Sequence, residues 1–282
     1  MKIPLKGLSL LVALFFGTTL AFADTAEDYF TDGVAKAEKS NWDAALADYN
    51  KAIELKPDFA DAYNARGWMK QAKGDFNGAL ADYDKCLQLN PKFFKAYNNR
   101  AIWEQARGDL DGAMADLDQA IQLNPSVATA YFNRAKVRQA KKDAHGALVD
   151  YTKAIELKPD YIQAYNDRGL LKATQTDLAG AIADYDKALA LDPKHVAAYA
   201  NRGLAKFGKG DLEGALADCN SAIEISPKSF QPYIYRGYVK SKMGDKSGAR
   251  ADFSKAIELH PQAQKLIETD EATNAGGMPT QQ

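Results

Sequence analysis

Cysteine, histidine and surplus charge are all scarce in this chain. Two cysteines and three histidines in 282 residues leave little from which to build a metal site or a disulfide framework. There is no Cys-x-x-Cys. His145 is expected in a turn, and His195 and His260 flank junctions, so no two histidines are spaced as ligands on one helix face. Neither a metal nor a cofactor is expected. Lys plus Arg number 36 against 37 Asp plus Glu, a formal net charge of -1. That balance lacks the basic stripe that nucleic acid requires. No convincing strand is present to place a glycine-rich phosphate loop, so an enzyme is not expected.

Long apolar runs are missing too, except at the start. Lys2 and Lys6 precede an apolar stretch from Leu8 to Phe16, interrupted by Gly17, Thr18 and Thr19 and closed by Ala21-Phe22-Ala23. A basic start, a short apolar centre and small residues before the cut read as a signal peptide, 1–23, cleaved after Ala23. The run falls short of the ~20 apolar residues of a membrane span. The expectation is a periplasmic or secreted protein without stable membrane insertion after cleavage. In that oxidising setting Cys86 and Cys219 still read as free buried thiols, because they stand four repeats apart and a disulfide needs Cα atoms within ~7 Å.

Proline is uncommon but regular. Pro57, Pro91, Pro125, Pro159, Pro193, Pro227 and Pro261 recur at intervals of 34 residues. This is the period of a stacked helix-turn-helix unit, which cannot bury its apolar face alone. It divides 24–263 into seven units, 26–59, 60–93, 94–127, 128–161, 162–195, 196–229 and 230–263. Numbered within each unit, position 4 is Tyr throughout, position 8 is Gly or Ala, position 20 is Ala and position 24 is large or sulfur-bearing. Large against small is how facing helices interdigitate. Gly-Asp at 74–75, 108–109, 210–211 and 244–245 closes a first helix, A, and caps a second, B. Asn90, Asn124, Asp192 and Ser226 precede their prolines at the junctions between units.

Positions 4, 8, 20, 24, 27 and 32 recurring together make the chain resemble the tetratricopeptide repeat family over 26–263. The resemblance implies an all-α fold, a right-handed superhelical solenoid of antiparallel helix pairs whose A helices line a concave groove for peptides or partner proteins. Two departures stand out. Position 7, usually Leu in the family, is Arg at 66, 100, 134, 168, 202 and 236, and position 11, usually aromatic, is mostly Lys. Position 23 is Asp in all seven units, at Asp48, Asp82, Asp116, Asp150, Asp184, Asp218 and Asp252. An antiparallel pair places position 7 across from about 24, so Arg66 can reach Asp82 in its own unit or Asp48 in the preceding one. We expect Arg66, Arg100, Arg134, Arg168, Arg202 and Arg236 to form a structural ion-pair spine with these aspartates, since catalytic groups do not recur in nearly every repeat.

By helical spacing and by the resemblance, positions 2, 5, 6, 9, 12 and 13 of helix A face the groove. They carry Asn64, Asn98, Asn99, Asn133, Asn166 and Asn201, with Asp167 at the same station. Among them stand the apolar or aromatic Trp68, Ile102, Phe132, Leu170, Phe207, Tyr235 and Tyr238, and the cations Lys95 and Lys136. Asparagines along a groove either bind the backbone of an extended peptide or brace neighbouring helices; side chains between them offer pockets. The family's carboxylate clamp needs Lys at position 5 and Asn at position 9, and this chain has neither.

At the C-terminus, 264–272 is expected to form a short capping helix with Leu266 and Ile267 inward, followed by a disordered tail, 273–282. Such a cap leaves Phe253 and Ile257 incompletely covered, which suits self-association. The expected function is noncatalytic binding of a protein or extended peptide in the groove outside the cytoplasm. The alternative is a structural scaffold in an envelope or secretion complex, assembled through its ends and convex face.

Overall fold

The computed structural model describes residues 24–273. The expected signal peptide and nearly all of the expected tail lie outside the described residues. Fifteen helices and no strand occur among them: α1 (Ala26–Glu38), α2 (Trp42–Leu55), α3 (Ala60–Ala72), α4 (Phe76–Leu89), α5 (Phe94–Ala106), α6 (Leu110–Leu123), α7 (Ala128–Ala140), α8 (Ala144–Leu157), α9 (Ile162–Thr174), α10 (Leu178–Leu191), α11 (Val196–Gly208), α12 (Leu212–Ile225), α13 (Gln231–Lys242), α14 (Lys246–Leu259) and α15 (Ala263–Thr273). Odd-numbered helices up to α13 are the A helices, and α1, α3, α7, α9, α11 and α13 each pack against the B helix that follows. None is long and apolar enough to cross a membrane. The chain divides into two compact units, one ending at Trp103 and the other beginning at Glu104.

Local chemistry explains the punctuation. The aspartates at position 16, from Asp75 to Asp245, are N-caps of the B helices, each accepting a hydrogen bond from the backbone N–H three residues on. Asn41 in the first repeat makes no such bond. The residue before each cap adopts a left-handed conformation. Glycine occupies it at 74, 108, 210 and 244, whereas Ser40, Lys142 and Thr176 adopt φ of 58°, 65° and 65°. At the junctions, Asn90, Asn124, Asp192 and Ser226 are C-caps of the B helices. The side chains of Asn90, Asn124 and Asp192 each accept from the N–H two residues on, folding over the turn that contains proline.

The helix pairs close through small residues. Alanine at position 20 is fully buried from Ala45 to Ala215, and Tyr83, Tyr151 and Tyr185 at position 24 are almost fully buried. A Cβ placed on Gly67 would stand 2.8 Å from the Tyr83 ring and 3.2 Å from the Ala79 carbonyl. Position 8 is therefore small because an aromatic ring and a backbone already occupy the space. Cys86 and Cys219 are free and buried, and burial pushes both thiols up to about 12.

At the C-terminal end of the second unit, Ala263 and Ile267 of α15 are buried against Tyr233, Ile234 and Ala256. Leu266 is half-buried. Phe253 and Ile257 pack against this cluster and are also half-buried. His145 departs from the expected turn. It lies in the first turn of α8, because Asp143 starts that helix one residue earlier.

Candidate partner-binding face

Arg134 shows the contacts of the spine arginines in full. Arg134 Nε donates to Asp150 Oδ2 at 2.9 Å and Nη2 to Asp150 Oδ1 at 2.7 Å. Its remaining Nη1 donates to Asp118 Oδ1 of the preceding repeat at 2.6 Å. The guanidinium also lies over the Tyr131 ring, 5.5 Å from its centroid. Arg66, Arg168, Arg202 and Arg236 repeat the bidentate pairing with Asp82, Asp184, Asp218 and Asp252. Of the two partners the sequence left open, the bidentate one is the aspartate of the same repeat. The link to the preceding repeat goes to position 25: Asn50, Asp84, Asp118, Thr152, Asp186 and Asn220. Position 25 changes residue type, so no repeated letter marked it.

Position 11 completes the site. Lys70, Arg138, Lys172, Lys206 and Lys240 reach the second oxygen of the same aspartates at 2.8–2.9 Å. In the first repeat, where position 7 is Asp32, Lys36 alone pairs with Asp48. The hydrogen bond to Asp150 and the one to Asp118 raise the Arg134 pKa against the cost of burial. Asp116 and Arg100 stand at the same repeat positions in the sequence, and Arg100 Nη1 donates to Asp84 Oδ1 at 2.7 Å. Every repeat with such a pair spends both charges within the protein, so the spine has no chemistry left for a substrate.

Asn64, Asn98, Asn99, Asn166 and Asn201 bond to neighbouring side chains of the A helices. In the first unit Asn99 Nδ2 donates to Asn64 Oδ1 at 3.1 Å, and Asn98 is within 3.5 Å of Asn99. In the second unit Asn201 Nδ2 donates to Asn166 Oδ1 at 3.2 Å, while Asn166 Nδ2 donates to Asp167 Oδ1 at 3.0 Å. Position 6 of one repeat thus ties to position 5 of the repeat before. Asn166 is buried, so it is a brace rather than a surface for ligand. Phe132 also turns inward, with ring centroids 5.7 Å from Tyr151 and 4.8 Å from Tyr161. It belongs to the core. Asn133 is half-buried on α7.

What stays open differs by unit. In the first, Trp68 is 51% and Ile102 37% exposed, and Lys95 is exposed beside them in sequence. In the second, Lys136 is exposed, whereas Leu170, Phe207, Tyr235 and Tyr238 are half-buried. Tyr238 packs edge-on against Phe253 at 5.2 Å. Between α7 and α9, closed at one side by the end of α5, lies a cavity of about 380 Å³. Gln105, Lys136, Gln139, Ala140, Asp167 and Leu170 line it, with Tyr151 as its floor. These are positions 9, 12, 13 and 6 of successive A helices, brought to one place by the repeat. The Tyr151 hydroxyl donates to Gln139 Oε1 at 3.0 Å, which holds one wall still. By sequence Asp167 stands on the groove face at the station of the asparagines, with no separate role. Its one sequence signal is being the acid where three other repeats have asparagine, at 99, 133 and 201. A wider hollow of about 700 Å³ lies between α7 and α8. Its charged walls, Arg134, Arg138 and Asp150, are committed to the spine.

Family models described as TPR repeat match residues 33–71 and 104–142, and models described as tetratricopeptide repeat match 60–93, 128–161 and 166–230. No curated protein sequence matches the chain. Among solved structures, a tetratricopeptide repeat protein from Parabacteroides merdae ATCC 43184 is similar at 19% identity and a TM-score of 0.64, over 86% of this chain and 97% of its own. YrrB, described as a TPR protein with an unusual peptide-binding site, is similar at 21% identity and TM-score 0.55, over 67% of this chain and 97% of its own. MamA is similar at 28% identity and TM-score 0.53, over 57% of this chain and 95% of its own.

Proposed function

The chain belongs to the tetratricopeptide repeat family, and from that premise we propose that it is a noncatalytic interaction module holding an extended peptide on its A-helix face. One observation carries the reading. The residues that recur are spent on packing and on the ion-pair spine, whereas Gln105, Lys136, Gln139, Asp167 and Leu170, at positions that vary between repeats, line the cavity between α7 and α9. Walls of mixed polar and apolar character suit peptide recognition, with Leu170 and Ala140 for apolar contact and Gln105 and Gln139 for backbone amides. The described peptide-binding site of YrrB supports the same use of the fold. We place the protein outside the cytoplasm, in the periplasm or beyond, on the pattern of Lys2, Lys6, Leu8 to Phe16 and Ala21 to Ala23.

Photo-crosslinking in the native cell tests the binding face. A photoreactive amino acid at Leu170 is expected to capture a partner, and the same residue at Val149 on the exposed side of α8 is expected to capture none. Capture at Val149 alone would contradict the assignment and favour the scaffold reading.

A further inference from the structure

The cavity between α7 and α9 contains a carboxylate that makes no ion pair. Asp167 is half-buried, and its one hydrogen bond comes from Asn166. Among the described residues no Lys, Arg or His stands within ion-pair distance of it, although Lys136 lines the same cavity. The Lys136 ammonium lies 5.8 Å from the Phe132 ring centroid and makes no ion pair with Asp167. It is exposed, so water screens its charge more than that of the half-buried acid. By contrast, the buried aspartates at position 23 that have a described partner are matched by Arg, Lys or both. Asp167, half-buried at position 6, has no such match.

Burial also raises the Asp167 pKa, with Asn166, Lys136 and His195 opposing the shift in that order. An acid held above its ordinary value destabilises the folded protein at neutral pH relative to asparagine, the residue three other repeats carry there. Resting on the groove reading, we propose that Asp167 selects a partner peptide bearing a Lys or Arg side chain, which enters the cavity and completes the missing ion pair. Leu170 and Ala140 pack its aliphatic stem, and Gln105 and Gln139 flank the adjoining backbone. Charge complementarity decides the occupant, because an acidic side chain would meet an unpaired carboxylate in a partly desolvated site.

The test uses the full chain and a positional-scanning library of hexapeptides acetylated and amidated at their ends. Wild type is expected to select Lys or Arg at one position, and Asp167→Asn to bind those same peptides about tenfold or more weakly. The variant's melting temperature at pH 7 should not fall, since asparagine accepts the same Asn166 bond. Lowering the pH should weaken basic-peptide binding by wild type as Asp167 protonates. The titratable groups facing it are Lys136 on α7, Tyr151 on α8, Tyr161 before α9, Tyr185 on α10 and His195 before α11. Because His195 also gains charge, Asp167→Asn is measured at each pH, and the difference between the two proteins should shrink toward acid. Peptides selected without a basic preference, or a preference that survives in Asp167→Asn, overturn this inference while leaving the groove reading intact. A library in which no peptide binds overturns both.

Discussion

Arg134 and Asp150 are joined by two parallel hydrogen bonds of 2.9 and 2.7 Å, and the third guanidinium nitrogen reaches Asp118 of the repeat before. One side chain therefore closes a helix pair and ties it to its neighbour. Asp150 is only 1% exposed at its side chain and also receives Arg138. Replacing Arg134 with Met removes the tie to Asp118 and leaves Asp150 with one cation instead of two. The expected loss is about 3 kcal/mol. Thermal or denaturant unfolding checks it; a midpoint equal to wild type would show that the spine adds nothing.

Gly67 supplies a packing test. Gly67→Ala introduces a methyl 2.8 Å from the Tyr83 ring and 3.2 Å from a backbone oxygen, so α3 and α4 must separate. We expect destabilisation of about 1–3 kcal/mol. Comparison with Gly74→Ala distinguishes the causes, because nothing lies within 4 Å of a Cβ at 74 and that cost comes from its φ of 86°.

Thr176 stands in a left-handed turn that glycine occupies in four other repeats. A β-branched residue is strained there. Thr176→Gly should raise stability by up to about 1 kcal/mol, which is roughly 2–4 °C in melting temperature for a domain of this size. A lower melting temperature would mean that Thr176 makes a contact worth more than the strain.

The two thiols report the folded state. With burial holding Cys86 and Cys219 near 12, both stay protonated at pH 8. Neither is expected to react with a thiol reagent until the protein unfolds, when both should react at the ordinary rate. Fast labelling under native conditions would contradict their packing.

The sign for Asp167 follows from its raised pKa. The folded state holds this proton more tightly than the unfolded chain, so the group's favourable contribution is full below the unfolded pKa and is lost as pH rises through the folded one. Asp167→Asn should therefore melt higher than wild type at pH 7, with the gain vanishing toward pH 3. A gain that does not vary with pH would point to packing instead of charge.

The architecture was legible because it repeats. Alanine at 45 through 249, tyrosine at position 4 and aspartate at position 23 announce themselves seven times, and a stack that buries faces only against neighbours must keep them. The spine was half legible. Arginine and aspartate recur, but sequence spacing does not separate Asp82 from Asp48 as the partner of Arg66, since the two differ only in which repeat supplies the carboxylate. Asn50, Asp84 and Thr152 escaped notice because any acceptor serves at position 25. The asparagines read equally well as ligands or braces until their mutual distances were known. Asp167 is the reverse case: its meaning lies in the cation it lacks, which a list of residues does not display.

The central claim is that the A-helix face between α7 and α9 holds an extended peptide. The most direct measurement compares the affinity of a library-selected peptide for wild type, for Leu170→Glu in the cavity and for Lys153→Glu on α8. The account predicts at least about a tenfold loss for Leu170→Glu and no change for Lys153→Glu. Undiminished binding by Leu170→Glu, or loss confined to Lys153→Glu, would contradict it.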